Sequence, residues 1–437
     1  MKAQPGLKFF LALSFMAAVS AALLLALRIA PEAVGPCVIV FFASLAVSSM
    51  AHPSFKSYAF TLWVFAFVAG SMFYPSAFGT WFRADLKILI VPLIQIITFG
   101  MGTTLSAKDF KRVFTMPWPV LMGMFLQYTI MPLVGFTIAT LLGFEPEVAA
   151  GVILIGSVSG GVASNLINYL AGANVALSVT MTAVSTLISP VMTPFLMKTL
   201  AGKLVPVDFV AMMFSIINMI IVPILAGLVA NRVLFGPEKW ARQAGSLAAI
   251  SAGCLALAGA LFFWDMTFLG SLAEMANGAI LGLVLIAFVA LAKLIVNIWL
   301  KGPENWMDKA LPVVSMSGIC FIIAIITARS RNELLTSGWL LILAAMLHNA
   351  TGYVLGYWGS RAVGLNEIDS RTVAVEVGMQ NGGMASGIAM NVLHSVKAAL
   401  APAIFGPWMN ISGSVLASWW RRRPARNPGT PAQKKIN

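Results

Sequence analysis

Charge is what this sequence has least of. Asp, Glu, Lys and Arg make up only 10% of its 437 residues, where a soluble globular domain carries about a quarter. Hydrophobic residues reach 59% and the mean hydropathy is +0.90. That much apolar surface cannot be hidden in one water-soluble core, so lipid must be part of the solvent. A soluble enzyme, a disordered scaffold and a nucleic-acid-binding domain are excluded. At roughly 20 residues per helical span, the chain can cross a membrane a dozen times or more.

Chemistry-bearing residues are also scarce. The three cysteines, Cys37, Cys254 and Cys320, lie in apolar stretches. Their odd number and wide spacing provide neither a disulfide framework nor a metal site. The three histidines, His52, His348 and His394, form no H-E-x-x-H pair, and a Walker A sequence is missing. An intramembrane metallohydrolase and direct ATP drive are therefore disfavoured. Acids number 15 against 28 Lys and Arg, a net charge of +13. Six of those bases (Arg421, Arg422, Arg423, Arg426, Lys434 and Lys435) fall after the last apolar run with no acid among them. In a membrane protein such a tail reads as a cytoplasmic, lipid-facing flank rather than as a nucleic-acid surface.

Runs nearly free of charge mark fourteen expected spans. They are Phe9–Leu27, Ala33–Ala51, Ser57–Pro75, Ile88–Ala107, Trp118–Leu142, two within Val148–Met197 divided near Gly172–Asn174, Phe209–Ala230, Gln243–Trp264, Met275–Lys293, Ala310–Ala328, Leu334–Trp358, Thr372–Ser395 and Ala398–Trp420. Lys2, Lys8, Lys108, Lys111, Arg112, Arg232, Lys239 and Arg242 share one side with the basic tail, and Glu145, Glu147, Asp265 and Glu274 lie on the other. Both termini are expected in the cytoplasm, against the minority vote of Lys198, Lys203, Arg329 and Arg331. The first span resembles a secretory signal in its basic start and apolar middle. Arg28 and Pro31 make a poor cleavage region, however, and removal would spoil the even count, so it reads as retained.

Two spans are not plain apolar rods. One contains Ser157-Val158-Ser159-Gly160-Gly161-Val162-Ala163-Ser164-Asn165-Leu166-Ile167-Asn168, the other Glu376-Val377-Gly378-Met379-Gln380-Asn381-Gly382-Gly383-Met384. Glycine weakens a helix, and opened backbone survives in a membrane only where it lines a cavity or is buried in protein. Glycine spacing alone would be explained by close helix packing. Glu376 and the carboxamides of Asn165, Asn168, Gln380 and Asn381 shift the balance, because an intramembrane carboxylate is costly and marks a functional site. Each Gly-Gly span is the sixth of a set of seven, and seven is odd, so the second set enters from the opposite side. That pattern points to an inverted-repeat secondary transporter. Hydroxyls, amides and carbonyls around one carboxylate, with no His or Cys, suit a hard monovalent cation such as sodium.

At these residues the chain resembles the bile acid/sodium symporter family. The matching segments are Gly100–Ser106 followed by Asp109-Phe110, Gly161–Asn165, Asn174–Val179, Ser185–Pro190, His348-Asn349, Glu376–Asn381 and Asn410–Ser414. The resemblance covers about Ser57–Asn231 and Asn305–Trp420. It implies an all-α polytopic fold of ten core helices in two inverted repeats, with a panel domain, a core domain and two crossing discontinuous helices. The implied division is 1–56 an additional hairpin, 57–204 the first repeat, 205–236 the first helix of the second, 237–304 an inserted hairpin, 305–420 the remainder and 421–437 the basic tail.

The resemblance also implies two sodium ions. One would use Ser164, Asn165, Ser178, Thr182 and Glu376; the other Gln127, Glu376, Gln380 and the carbonyls of Val377 and Met379. A small organic anion would sit beside the crossing near Gly161, Val162, Asn349 and Asn381. Family members commonly have Pro-Gly-Gly-Thr where this chain has Ser159-Gly160-Gly161-Val162, Asn-Ser-Gly where it has Asn381-Gly382-Gly383, and His where it has Met409. These departures leave the sodium ligands in place and weigh against bile acid itself. The expected function is sodium-coupled symport of an organic anion through the cell membrane, with no nucleic acid and no obligatory protein partner. The alternatives are proton coupling through Glu376 and a sensor that binds without transporting. Gln95 and Asn218, in panel helices, fit a bridge to a neighbouring helix and a substrate contact equally well, and His348 reads as a helix–helix hydrogen bond ahead of a proton relay.

Overall fold

The computed structural model of the chain describes residues 5–27, 29, 31–51, 58–105, 112–236, 238–264, 273–303 and 306–423. Lys2, Arg28, His52, Ser106, Lys108, Asp109, Phe110, Lys111, Asp265 and the tail beyond Arg423 lie outside these residues.

In chain order the helices are α1 (Pro5–Leu27), α2 (Pro31–Ala51), α3 (Ala59–Phe73), α4 (Ile90–Thr104), α5 (Pro117–Leu141), α6 (Pro146–Ser157), α7 (Ala163–Ala171) and α8 (Val175–Leu200). They continue with α9 (Phe209–Phe235, with a π-helical turn at Ile217–Ile221), α10 (Ala244–Phe263), α11 (Ala273–Lys293, continued by a π-helical turn to Trp299), α12 (Trp306–Arg329), α13 (Arg331–Ala362), α14 (Glu367–Gly378), α15 (Gly382–Asn391) and α16 (Val396–Arg421). Ten of the described helices are long and apolar enough to cross a membrane. The short α3, the broken pairs α6–α7 and α14–α15, and α16 account for the other four expected runs.

Local sequence explains where these helices begin and stop. Proline at the first position opens α5 and α6, where a missing N–H costs nothing. Side chains of Asn174, Asp208, Asn366, Asn381 and Ser395 accept backbone N–H groups at the starts of α8, α9, α14, α15 and α16. Gly172, at φ +67°, ends α7 in the left-handed conformation that glycine takes without penalty.

The helices pack in two groups. α3, α4, α9 and α12 form one, and α5–α8 with α13–α16 form the other. Contact between the groups runs through α8 and α15 against α9, α15 against α4, α16 against α12 and α3, and α13 against α12. Backbones approach closely at glycines: a Cβ on Gly102 would lie 2.3 Å from the Ile224 carbonyl, and one on Gly151 would lie 2.1 Å from that of Ala398. In lipid such dispersion contacts, rather than hydrophobic burial, hold helices together.

The two additional hairpins attach to the first group. α2 docks on α3 and carries α1, while α11 docks on α9 and α4 and carries α10. Lys293 of α11 donates to the Val233 and Leu234 carbonyls at the end of α9, at 2.7 and 2.8 Å. Reading spans from charge-free runs does not anticipate the short antiparallel hairpin of Thr80–Trp81 with Ala84–Asp85. Two of the misplaced bases have local partners: Arg329 pairs with Asp85 of this hairpin, and Arg331 donates to the Met72 carbonyl at the end of α3 at 2.9 Å. Held by these local partners, they carry less weight as orientation signals.

Candidate functional site

The two broken helices meet at their breaks. Between α6 and α7 the chain is extended, and Gly160 forms an isolated antiparallel bridge with Gln380, between α14 and α15. Gly161 N–H donates to the Met379 carbonyl and Asn381 N–H donates to that of Ser159, both at 2.9 Å. Each break thus satisfies the backbone groups the other has lost, as burial in lipid demands. There is no room for a side chain here, since a Cβ on Gly161 would come within 2.8 Å of the Gln380 carbonyl oxygen.

Glu376 sits on the last full turn of α14 and is fully buried. Ser164 and Ser178 each place a hydroxyl 2.5 Å from its Oε1, and Asn168 Nδ2 donates to the same oxygen at 3.4 Å. Thr182 donates to Oε2 at 2.9 Å. Asn165 joins them through Ser178, whose hydroxyl lies 2.7 Å from its Oδ1, so three of the residues expected for the first sodium touch the Glu376 carboxylate and Asn165 stands one step behind. Among the described residues Glu376 makes no ion pair. Asn168, four residues after Ser164 and so on the same helical face, belongs to this cluster although the expected ligand set omits it. Its signal was that spacing.

The second expected set lies on the other side of the same carboxylate. A Cβ on Gly160 would be 3.0 Å from Glu376 Oε2 and 3.7 Å from Gln127 Nε2, which places both groups around the bridge. Gln127 Nε2 reaches Gln380 Oε1 at 3.5 Å, and Gln380 Nε2 donates to the Val377 carbonyl at 2.7 Å. The Met379 carbonyl is the one that receives Gly161 N–H. Ser185 closes this side by accepting from Gly160 N–H at 3.2 Å, and Tyr128 donates to the Ser185 carbonyl at 2.8 Å.

Acceptors outnumber protons in this volume. Ser164 has both the Gly161 carbonyl and Glu376 within reach of a single hydroxyl proton, and Ser178 has both Asn165 and Glu376. The buried oxygens Asn168 Oδ1 and Gln127 Oε1 have no hydrogen-bond partner among the described residues. A buried acceptor left unsatisfied costs about 1–3 kcal/mol. An oxygen set short of donors fits a hard cation.

The expected substrate residues divide. Val162 is exposed at the mouth of α7, and Asn381 is half-buried, capping α15 by accepting from Met384 N–H at 3.0 Å. Gly161 is buried in the crossing. Asn349 is fully buried on α13, donates to the Gly378 carbonyl at 2.8 Å and accepts from the Ser412 hydroxyl, so it supports the end of α14. His348 contacts the Met131 carbonyl at 3.2 Å, and Gln95 donates to the Asn218 carbonyl at 3.2 Å; both bridge helices.

Residues 91–268 match the Sodium Bile acid symporter family. An uncharacterized sodium-dependent transporter of Bacillus subtilis (strain 168), YocS, is 34% identical over 370 residues, covering 84% of this chain and 92% of its own. The chain belongs to the sodium bile acid symporter family. Two plant relatives extend the comparison. The probable sodium/metabolite cotransporter BASS1, chloroplastic, of Arabidopsis thaliana is 28% identical, over 84% of this chain and 74% of its own. The probable sodium/metabolite cotransporter BASS2, chloroplastic, of Oryza sativa subsp. japonica is 30% identical, over 86% and 72%. Members of the sodium bile acid symporter family are sodium-dependent transporters, not enzymes, and this multi-pass membrane protein is one of them.

Proposed function

We propose that the protein carries a small organic anion into the cell together with two sodium ions, by alternating access across the cell membrane. The observation that carries this is the placement of Glu376. One oxygen faces Ser164, Ser178 and Asn168, the other faces Thr182 and the Gly160–Gln127 side, and donor-poor oxygens surround both. One negative charge shared between two cation positions offsets part of the charge of each, where the low dielectric makes that attraction strong. The first position is assigned to Ser164, Asn165, Ser178, Thr182 and Glu376, and the second to Gln127, Glu376, Gln380 and the carbonyls of Val377 and Met379.

α3, α4, α9 and α12 act as the panel and the remaining broken-helix group as the core, within repeats at 57–204 and 205–420 interrupted by the hairpin at 237–304. With both termini cytoplasmic, α7 lies in the inner half of the membrane and α15 in the outer half. α15 is closed against the panel: a Cβ on Gly387 would strike Ile94 and Met219, and Asn391 donates to Ser215 at 2.9 Å. α7 packs on α8, α14 and α16 and leaves Val162, Leu166 and Tyr169 exposed. This supports an inward-open state in which the anion sits near Val162 and Asn381. Absence of Lys and Arg from the crossing leaves half-helix N-termini and amides to hold its charge.

The test is ligand-dependent thermal stability in detergent, with sodium replaced by potassium at constant ionic strength. Sodium alone should raise the Tm by mass action, and a transported anion should raise it further. Equal stabilisation by potassium would defeat the sodium assignment. Uptake driven by a sodium gradient at fixed pH separates sodium coupling from proton coupling through Glu376, and flux itself separates a transporter from a sensor.

A further inference from the structure

Two polar stripes face each other across α14 and α8. On α14, Asp369, Thr372 and Glu376 share one face, because residues three, four and seven apart align on a helix. On α8, Asn174, Ser178 and Thr182 recur every four residues and do the same. Their contacts run as a ladder: Asn174 Nδ2 donates to Asp369 Oδ1 at 2.8 Å, Asn174 N–H donates to Thr372 Oγ1 at 2.8 Å, and Ser178 and Thr182 donate to Glu376. Asp369 is itself fixed by Asn366, whose Nδ2 donates to Oδ2 at 2.6 Å and whose Oδ1 accepts Asp369 N–H at 2.9 Å. Asn174 is the residue from which α8 starts, accepting Leu177 N–H at 3.1 Å. The ladder therefore joins a held turn to the cluster two turns further in.

The opposite end of the crossing has a counterpart. Glu147, in the first turn of α6, accepts from Ser395, the residue that caps α16. Each broken helix thus opens with a carboxylate that grips the cap of the helix following the other broken helix. Only the Asp369 grip leads into a helix that supplies oxygens to Glu376; α16 supplies none of the cluster.

We propose that Asp369 is a positioning residue for the cation cluster. By holding Asn174, it sets the depth and rotation of α8 so that Ser178 and Thr182 meet Glu376. This rests on the sodium coupling proposed above, and the experiment keeps the two apart. The half-saturating sodium concentration is read from thermal shifts and again from uptake, beside the KM for the anion, in the full-length chain. Asp369→Ala should raise half-saturating sodium roughly ten-fold, the equivalent of about 1.4 kcal/mol, with a much smaller change in anion KM at saturating sodium. Asp369→Asn keeps an oxygen for Asn174 Nδ2 and should restore most of the affinity. Asn174→Asp keeps the α8 cap but sets like charges against each other, and should reproduce the alanine effect even if Asp369→Ala does not fold. Glu147→Ala loosens the matching grip and should leave sodium affinity unchanged. Wild-type sodium affinity in both Asp369→Ala and Asn174→Asp overturns the proposal. So does an asparagine variant as weak as alanine, which would mean charge rather than position, or an equal sodium shift in Glu147→Ala, which would mean general loosening. A wild-type protein indifferent to sodium instead overturns the coupling itself.

Discussion

Gly161→Ala perturbs the crossing with a single methyl group. The added Cβ would stand 2.8 Å from the Gln380 carbonyl oxygen and 3.5 Å from that of Met379, both backbone atoms. The Gln380 carbonyl must retreat by about 0.6 Å to reach 3.4 Å, the near edge of ordinary van der Waals contact. That movement stretches the bridge, in which Gly161 N–H and Asn381 N–H each donate over 2.9 Å. Forcing one methyl into a packed site typically costs about 1–3 kcal/mol. Gln380 and Met379 belong to the second proposed sodium position and Glu376 to both. If the strain is paid in the ion-bound state, sodium affinity should fall roughly 5- to 150-fold, at 1.4 kcal/mol per factor of ten. A sodium titration of thermal stability measures this directly. Gly253→Ala, where a Cβ on α10 meets nothing within 4 Å, is the control for a harmless methyl group. A Gly161→Ala protein that folds and half-saturates at the wild-type sodium concentration would refute the claim that the crossing shapes the ion site.

Three further outcomes are expected. Ser178→Ala removes an oxygen 2.5 Å from Glu376 and the donor to Asn165, so sodium should bind roughly 10-fold or more weakly in the same titration; an unchanged half-point would exclude Ser178 as a ligand. Val162→Thr adds a hydroxyl at the exposed mouth of α7 with little change in volume, and competition uptake should show altered preference among anions with sodium affinity held. A sodium shift without an anion shift would move Val162 to the wrong site. Gly102→Ala drives a Cβ to 2.3 Å from the Ile224 carbonyl and should lower stability by about 1–3 kcal/mol, seen as a lower Tm at every sodium concentration; equal melting would contradict the close α4–α9 approach.

Much of this fold was legible because lipid leaves the chain few choices. Long apolar runs must become helices, and the Gly-Gly segments with Asn165 and Gln380 marked where two of them break. Glu376 stood out because a carboxylate in a span is expensive. What stayed hidden depended on partners far apart in sequence. Asn349 looked free to meet a substrate, yet it bonds Gly378 and Ser412. Arg371 is a charged residue buried inside the bundle, which sequence reading placed outside a span. It is held by Glu367 and by the Trp420 and Arg423 carbonyls at the end of α16. Nothing in the local sequence singles out Asp369, because its bond to Asn174 crosses 195 residues. The contacts at the π-helical turn Ile217–Ile221 were hidden in the same way: the Asn218 carbonyl accepts from Gln95 of α4, and Gly278 of α11 packs against Asn218.

The central claim is that Glu376 is the carboxylate shared by two sodium ions that travel with one anion. Glu376→Gln keeps the shape and one acceptor oxygen but removes the charge, and breaking a buried charge interaction costs roughly 3–5 kcal/mol. Two sodium ions with a monovalent anion also carry one net positive charge inward, so the membrane potential adds about 2.3 kcal/mol per 100 mV. The deciding measurement is uptake into proteoliposomes under an inward sodium gradient, with and without a negative-inside potential, in wild type and Glu376→Gln. Wild-type uptake should accelerate with the potential and vanish in the variant. Potential-sensitive, sodium-dependent uptake by Glu376→Gln at the wild-type rate would contradict the claim.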